Sequence, residues 1–128
     1  LKQFHKRSLG ALLLDQGFVA GLGNYLRSEI LFFSQLPPSA RPVDLTPEQQ
    51  QTLADCIIDV TRQAYQAAGV TNREAWIAQA KAAGEPRRQW RFAVFERAGL
   101  ECHRCGTVIE RTMVGSRRLY LCPYCQSS

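Results

Sequence analysis

The sequence predicts a mainly α-helical protein that ends in a metal-bound β-hairpin. Residues 1–89 carry apolar positions at helical spacing, separated by glycine and proline breaks. Residues 90–128 instead carry two Cys-x-x-Cys pairs, with short segments rich in β-branched and aromatic residues around them. We therefore expect a helical domain over residues 1–89, followed by a linker strand and a four-cysteine finger over residues 90–128.

Four helices are predicted before the finger. Thr46 and Gln49 form a capping box with proline at the first helical position, which begins the third helix, and Gly69 ends that helix. Thr71 and Glu74 repeat the capping-box pattern and begin the fourth. The predicted helices extend over residues 1 to about 14, from near Asn24 to before Pro37, from Pro47 to about Ala68, and from after Thr71 to about Ala83.

Three strands are predicted towards the end of the chain. Residues 90–95 read Trp-Arg-Phe-Ala-Val-Phe, a composition typical of a strand, and would join the helices to the finger. Within the finger we expect strands at residues 107–111 and 118–121. The connector between them contains Gly115 and Ser116, which suit a tight hairpin turn, so that Arg117 would project from the tip.

The four finger cysteines have the spacing of a zinc site. The two Cys-x-x-Cys pairs are separated by sixteen residues, and each pair can turn both of its sulfurs towards one tetrahedral ion. Two disulfides in a small secreted domain are the alternative, which a missing signal peptide and an odd fifth cysteine disfavour. That fifth cysteine, Cys56, lies in an apolar helical stripe and is interpreted as a small buried hydrophobe. The predicted zinc ligands are Cys102, Cys105, Cys122 and Cys125.

The charge of the chain favours a polyanionic partner. Sixteen lysines and arginines against eleven acidic residues give a net charge of +5. A solvated charged surface is the alternative interpretation. No apolar run reaches the length of a membrane span, and reduced cysteines without a targeting segment predict a cytoplasmic protein. Eight arginines lie in the last third: Arg87, Arg88, Arg91, Arg97, Arg104, Arg111, Arg117 and Arg118.

A second candidate site lies where a glycine-rich turn leads into the second helix. Gly17, Gly21 and Gly23 precede Asn24, and a helix N-terminus after such a turn offers free N–H groups to a phosphate. The alternative is that Asn24 only caps its helix. Together with arginines on a metal-fixed hairpin, the turn gives two polyanion contacts, which favours nucleic acid over a single-phosphate ligand.

Two segments resemble one family of DNA repair enzymes. Residues 13–29, which read LLDQGFVAGLGNYLRSE, resemble the helix-two-turns-helix segment of the formamidopyrimidine-DNA glycosylase and endonuclease VIII family. Residues 95–126 resemble that family's zinc finger, in the same order and at the usual separation. The sequence GNYLR at residues 23–27 and the Cys-Pro-x-Cys-Gln ending are more similar to the endonuclease VIII branch.

The resemblance implies roles for individual residues. Asn24, with the neighbouring backbone at Gly23, would bind a DNA phosphate near the lesion. Arg117 would be the finger-tip arginine that binds phosphate beside the flipped nucleotide, and it would be the catalytic proton donor for δ-elimination. Gln126, beside the last cysteine, would lie near the DNA. The four cysteines would bind one structural zinc ion.

The chain departs from the family pattern at its start. The family uses an N-terminal proline amine as nucleophile, whereas this chain opens Leu1-Lys2-Gln3. We therefore expect the DNA-binding half of a bifunctional glycosylase and AP lyase acting on oxidised pyrimidines, with its catalytic domain absent and no activity of its own.

Its expected partner is duplex DNA with damaged bases or abasic sites, bound by a monomer in the bacterial nucleoid. One alternative is a stand-alone zinc ribbon that binds nucleic acid or protein without repair chemistry. A regulatory helix-turn-helix protein is a weaker alternative, because the helix after Asn24 carries Ile30, Leu31, Phe32 and Phe33 where base-reading polar residues would be needed.

Overall fold

A computed structural model describes residues 8–15 and 24–127 of the chain. Within these residues a helical part is followed by one antiparallel hairpin, which confirms the predicted fold class. Among the described residues, no helix is long and apolar enough to cross a membrane. The elements are α1 (Leu9–Asp15), α2 (Tyr25–Ser34), α3 (Pro47–Gln66), α4 (Glu74–Ala82), α5 (Arg87–Trp90), β1 (Glu110–Val114) and β2 (Arg117–Leu121).

Helix α2 lies at the centre of the molecule and is buried along most of its length. One face joins α1, α3 and β2 in a first apolar cluster, which contains Leu26 and Ile30 together with Leu119 of the hairpin. Phe32 lies in a second cluster with Ile109, Tyr120 and other residues that follow α5. The helical part and the finger therefore share both clusters, and burial of apolar surface stabilises them together.

The first three predicted helices are present, and their C-terminal ends lie within two residues of the predicted ends. α1 begins at Leu9, so the helix does not include Ser8, which was predicted to be helical; residues 1–7 lie outside the described residues, as do Gly17, Gly21 and Gly23. The capping box of α3 is confirmed: the Gln49 amide donates to Thr46 Oγ1 at 3.1 Å, and the Thr46 amide donates to Gln49 Oε1 at 2.9 Å.

The predicted start of α4 is wrong. The helix begins at Glu74, and its preceding residue makes no side-chain cap. Thr71 is not available as a cap because its hydroxyl donates to Glu29 of α2 at 2.6 Å. A tertiary hydrogen bond to a buried carboxylate has replaced the local capping bond that the sequence predicted.

The predicted strand at residues 90–95 is also wrong. Residues 87–90 form the short helix α5, and the chain then turns. The amides of Ala93, Val94 and Phe95 all donate to the carboxylate of Glu29, at 2.7, 2.8 and 3.1 Å. Three consecutive amides that converge on one carboxylate cannot alternate in direction, as amides in a strand do.

The hairpin is close to the prediction, with β1 displaced by three residues. β2 covers the predicted segment, but residues 107–109 pair back with the chain before them, through Cys102 N–H to Thr107 O at 2.8 Å and Ile109 N–H to Leu100 O at 2.9 Å. The turn is Gly115-Ser116, and both residues have φ near +64°, as a two-residue type I′ turn requires.

Candidate metal centre and nucleic-acid interface

Four cysteine sulfurs meet at the base of the hairpin. Cys102 and Cys105 precede β1, Cys122 and Cys125 follow β2, and all four Sγ atoms lie within 4.8 Å of one another. The Cys105–Cys122 and Cys102–Cys125 sulfur pairs are 3.4 and 3.9 Å apart. A tetrahedron with Zn–S bonds of about 2.3 Å has sulfur separations of roughly 3.8 Å. The residues therefore fit the predicted Cys₄ zinc site.

The surroundings of the sulfurs also suit a cation. The amides of Arg104 and Cys125 each donate to a sulfur two or three residues earlier, both at 3.4 Å, and such bonds stabilise thiolates. Burial raises the pKa of the Cys122 and Cys125 thiols, so that a divalent ion at the centre would supply the charge that deprotonation needs. The site would hold zinc as a structural ion, since all four ligands come from the protein.

Gln126 secures the second cysteine pair to the helical part. Its side chain is 1 % exposed. Its Oε1 accepts from the Cys122 amide at 2.8 Å, and its Nε2 donates to the Leu36 carbonyl just after α2, at 3.1 Å. A side chain with both ends bonded inside the protein offers DNA no free polar atom. The location of Gln126 near the DNA stays a prediction.

Asn24 lies immediately before α2 and makes no side-chain cap to it. Its Nδ2 instead donates to the main-chain carbonyl of Arg118 on β2. Its Oδ1 is enclosed and has no hydrogen-bond partner among the described residues. Asn24 thus connects the start of α2 to the hairpin, whereas its predicted neighbour in phosphate binding, Gly23, lies outside the described residues.

Arg27 holds the hairpin tip against α1 and α2, a role that the sequence analysis missed. Its side chain is buried, with Nη1 donating to the Gly10 carbonyl at 2.9 Å. Its Nη2 donates to the carbonyls of Val114 and Arg117 at 2.7 and 3.0 Å, one on each side of the turn. The only available signal was a charged residue between the apolar positions of a predicted buried helix.

Glu29, one helical half-turn further along α2, is a second buried charged residue that the sequence analysis did not single out. Burial raises the pKa of its carboxyl, and its hydrogen bonds with Thr71 and the amides of residues 93–95 act in the opposite direction. The carboxylate fixes the chain just before the finger, and Arg27 fixes the finger's tip. The position of the hairpin thus depends on two charged side chains of α2.

Arg117 lies at the first position of β2, directly after the turn, as predicted. It pairs across the hairpin with Val114, and its side chain is exposed. Within the described residues, no acidic group forms an ion pair with it. Because Asn24 bonds to the residue after Arg117, the structure brings the two predicted polyanion contacts to the same end of the molecule.

Two family models match the chain in the same order as these sites. The formamidopyrimidine-DNA glycosylase H2TH domain matches residues 2–75, and the zinc finger found in FPG and IleRS matches residues 99–127. Among curated proteins, the chain is 42 % identical over 126 residues to Endonuclease 8 of Pectobacterium carotovorum, covering 98 % of the chain and 44 % of that protein. It is 44 % identical over 124 residues to Endonuclease 8 of Salmonella arizonae, covering 97 % of the chain and 44 % of that protein. The chain thus spans less than half the length of these relatives.

Solved structures of the family share the fold. MutM in complex with DNA containing carbocyclic 8-oxo-G has a TM-score of 0.76 and 27 % identity, over 99 % of this chain and 45 % of MutM. The Lactococcus lactis Fpg in complex with abasic-site DNA has the same TM-score, identity and coverage. MutM (Fpg) from Thermus thermophilus has a TM-score of 0.74 and 36 % identity, over 95 % of this chain and 46 % of that chain. The chain therefore belongs to the formamidopyrimidine-DNA glycosylase and endonuclease 8 family, and it contains that family's H2TH domain followed by its zinc finger.

Proposed function

We propose that the chain is the DNA-binding half of a base-excision DNA glycosylase and AP lyase that acts on oxidised pyrimidines. The observation that carries this proposal is that Asn24 and Arg117 lie at the same end of the molecule. Asn24 bonds to the hairpin that carries Arg117, and this hairpin is fixed by the cysteine site and by Arg27. A contact at a helix N-terminus and a rigid cation beside it suit consecutive phosphates of a nucleic-acid backbone.

Damaged duplex DNA is the partner that the relatives support. The solved structure of a MutM contains 8-oxo-G DNA, and that of the Lactococcus lactis Fpg contains an abasic site. The preference for oxidised pyrimidines is inferred from the resemblance to the endonuclease VIII branch; the chain is 42 % identical to an Endonuclease 8 and 36 % identical to Thermus thermophilus MutM. The chain's net charge of +5 favours association with a polyanion. A monomer suffices, because both contacts belong to one chain.

In the proposed enzyme Arg117 acts at the phosphate that leaves during strand cleavage. The resemblance to the family assigns it the proton donation for δ-elimination. A guanidinium keeps its proton throughout the accessible pH range, so we assign its larger contribution to electrostatic stabilisation of the phosphate charge. The exposed guanidinium at a fixed hairpin tip is suited to that role.

Excision would require an amine nucleophile that these 128 residues are not expected to supply. The only lysines are Lys2, Lys6 and Lys81. Lys81 is exposed, and its Nζ lies 4.4 Å above the Trp90 ring, remote in the chain from Asn24 and Arg117. We therefore expect the chain alone to bind DNA without forming a Schiff base.

Fluorescence anisotropy on the zinc-loaded chain tests this function. We expect salt-dependent binding to a duplex with one abasic site, and weaker binding to an intact duplex. Asn24→Ala should weaken binding about tenfold in every sequence context, because a phosphate contact carries no base information. Gln66→Ala, which removes an exposed amide at the end of α3, serves as the matched control.

Borohydride trapping on the same abasic duplex completes the test. We expect no covalent product from the chain itself, and trapping would overturn the assignment of the nucleophile. Binding of RNA or protein without affinity for duplex DNA would instead support the stand-alone zinc-ribbon module and contradict the proposed function.

A further inference from the structure

The hairpin tip presents arginines on both of its faces. Successive residues of a strand point to opposite faces, so Arg117 shares one face with Val114 and Leu119, while Arg118 shares the other with its cross-strand neighbour Met113. The first face packs against α1, since a Cβ at Gly10 would lie 3.2 and 3.4 Å from side-chain atoms of Val114 and Leu119. The tip therefore extends one cation from each side of a two-stranded ribbon.

The second face is covered at its base and open at its tip. Tyr120 is buried there, with its ring centroid 4.9 Å from that of Phe95. Nearer the turn, Met113 is 60 % exposed, and the Arg118 side chain beside it is exposed as well. Met113 and Arg118 therefore place an apolar side chain beside a cation that has no acidic partner in the described residues.

The backbone at Arg118 is fixed more firmly than its exposed side chain suggests. Its carbonyl accepts from Asn24 Nδ2 and from Arg27 Nη2, the latter at 3.4 Å. Arg27 also bonds to the carbonyls of Val114 and Arg117. The backbone from which both arginine side chains extend is therefore fixed before any ligand binds. This lowers the conformational-entropy cost of binding.

We propose that Arg118, supported by the Met113 side chain, binds a phosphate of the DNA strand opposite to the strand that Asn24 and Arg117 contact. This inference rests on the proposed function. The minor groove of B-DNA is about 6 Å wide and has a phosphate backbone along each edge. Arg117 and Arg118 leave the ribbon on opposite faces, so a hairpin tip at the groove mouth can direct one arginine to each edge. Apolar contact of Met113 with sugar atoms would accompany the Arg118–phosphate bond.

Duplexes with uncharged methylphosphonate linkages identify the strand. Three duplexes are needed: an abasic duplex with all phosphates, one neutralised around the lesion on the abasic strand, and one neutralised on the complementary strand. On the unmodified duplex, Arg118→Ala should weaken binding about five- to tenfold and reduce the salt slope by about 0.9. On the duplex with a neutralised complementary strand, Arg118→Ala should cause no further loss of binding affinity. Arg117→Ala should still weaken binding to that duplex.

Arg62→Ala is the matched control, because it removes one exposed arginine of α3 and changes the net charge equally. A loss from Arg118→Ala no larger than that from Arg62→Ala overturns the inference, as does a loss that disappears only when the abasic strand is neutralised. Zinc content and circular dichroism verify folding, and Arg118→Gln provides a second variant. If the unaltered chain binds no duplex at all, the proposed function itself fails. That result is distinct from one in which the chain binds DNA but Arg118 makes no contact with the complementary strand.

Discussion

Two charged side chains of α2 organise the finger through main-chain bonds. Arg27 donates to carbonyls on both sides of the hairpin turn, and Glu29 accepts from three consecutive amides before the finger. Burying a charge is costly unless hydrogen bonds compensate for the lost hydration, and both groups have such bonds. Each therefore stabilises one conformation of a segment that has little regular structure of its own.

Replacing Arg27 should destabilise the protein and loosen the hairpin tip. Arg27→Met keeps much of the side-chain volume but leaves the carbonyls of Gly10, Val114 and Arg117 without this donor. We expect a loss of about 3 kcal/mol in the free energy of unfolding, the usual cost of breaking a buried charged network. Urea denaturation measures it, with Arg62→Met as control. A change below about 0.5 kcal/mol would show that the bonds do not hold the tip.

At this scale the sequence predicted the residues whose role depends on local spacing. The four cysteines were identified because two Cys-x-x-Cys pairs are sufficient to indicate a metal site. Arg27 and Glu29 were missed because their partners lie as far as 91 and 66 residues away in the chain, a separation that no local pattern records. Gln126 was assigned to DNA because of its position after the last cysteine, whereas its buried amide joins the finger to the end of α2.

The difference between local and long-range contacts also explains which elements were predicted correctly. α3 starts where its capping box predicts, because the atoms that decide its start lie within three residues of one another. The predicted start of α4 and the predicted strand at residues 90–95 were wrong because the Thr71 hydroxyl and the amides of residues 93–95 donate hydrogen bonds to Glu29. A local preference is worth about 1 kcal/mol, less than several hydrogen bonds to a buried carboxylate.

Loss of the metal should destabilise the helical part as well as the finger. Leu119 and Tyr120 of β2 are buried in the two clusters that also contain α2. Cys105→Ser should therefore abolish binding of the single zinc ion and lower the thermal midpoint by roughly 10 °C, as a loss of about 3 kcal/mol would do. Zinc analysis and circular dichroism measure both effects, with Cys56→Ser as control. An unchanged zinc content in Cys105→Ser would contradict the four-cysteine site.

At the scale of the whole molecule, the predicted order of helices followed by a finger is correct, because apolar periodicity and cysteine spacing suffice for it. The packing of the finger on α2 could not be predicted, since it depends on contacts between residues far apart in the chain. That packing brings Asn24 beside the hairpin and so creates one surface from two separate motifs. We propose that this surface binds DNA.

The most direct test is an NMR titration of the ¹⁵N-labelled, zinc-loaded chain with an abasic-site duplex. We expect the largest amide shifts at Asn24, Tyr25 and residues 113–118, with small changes on the outer face of α3, where Ile58 and Tyr65 are exposed. The shifts should weaken as salt is raised. Shifts centred on the α3 face, or none at the hairpin tip, would contradict the account.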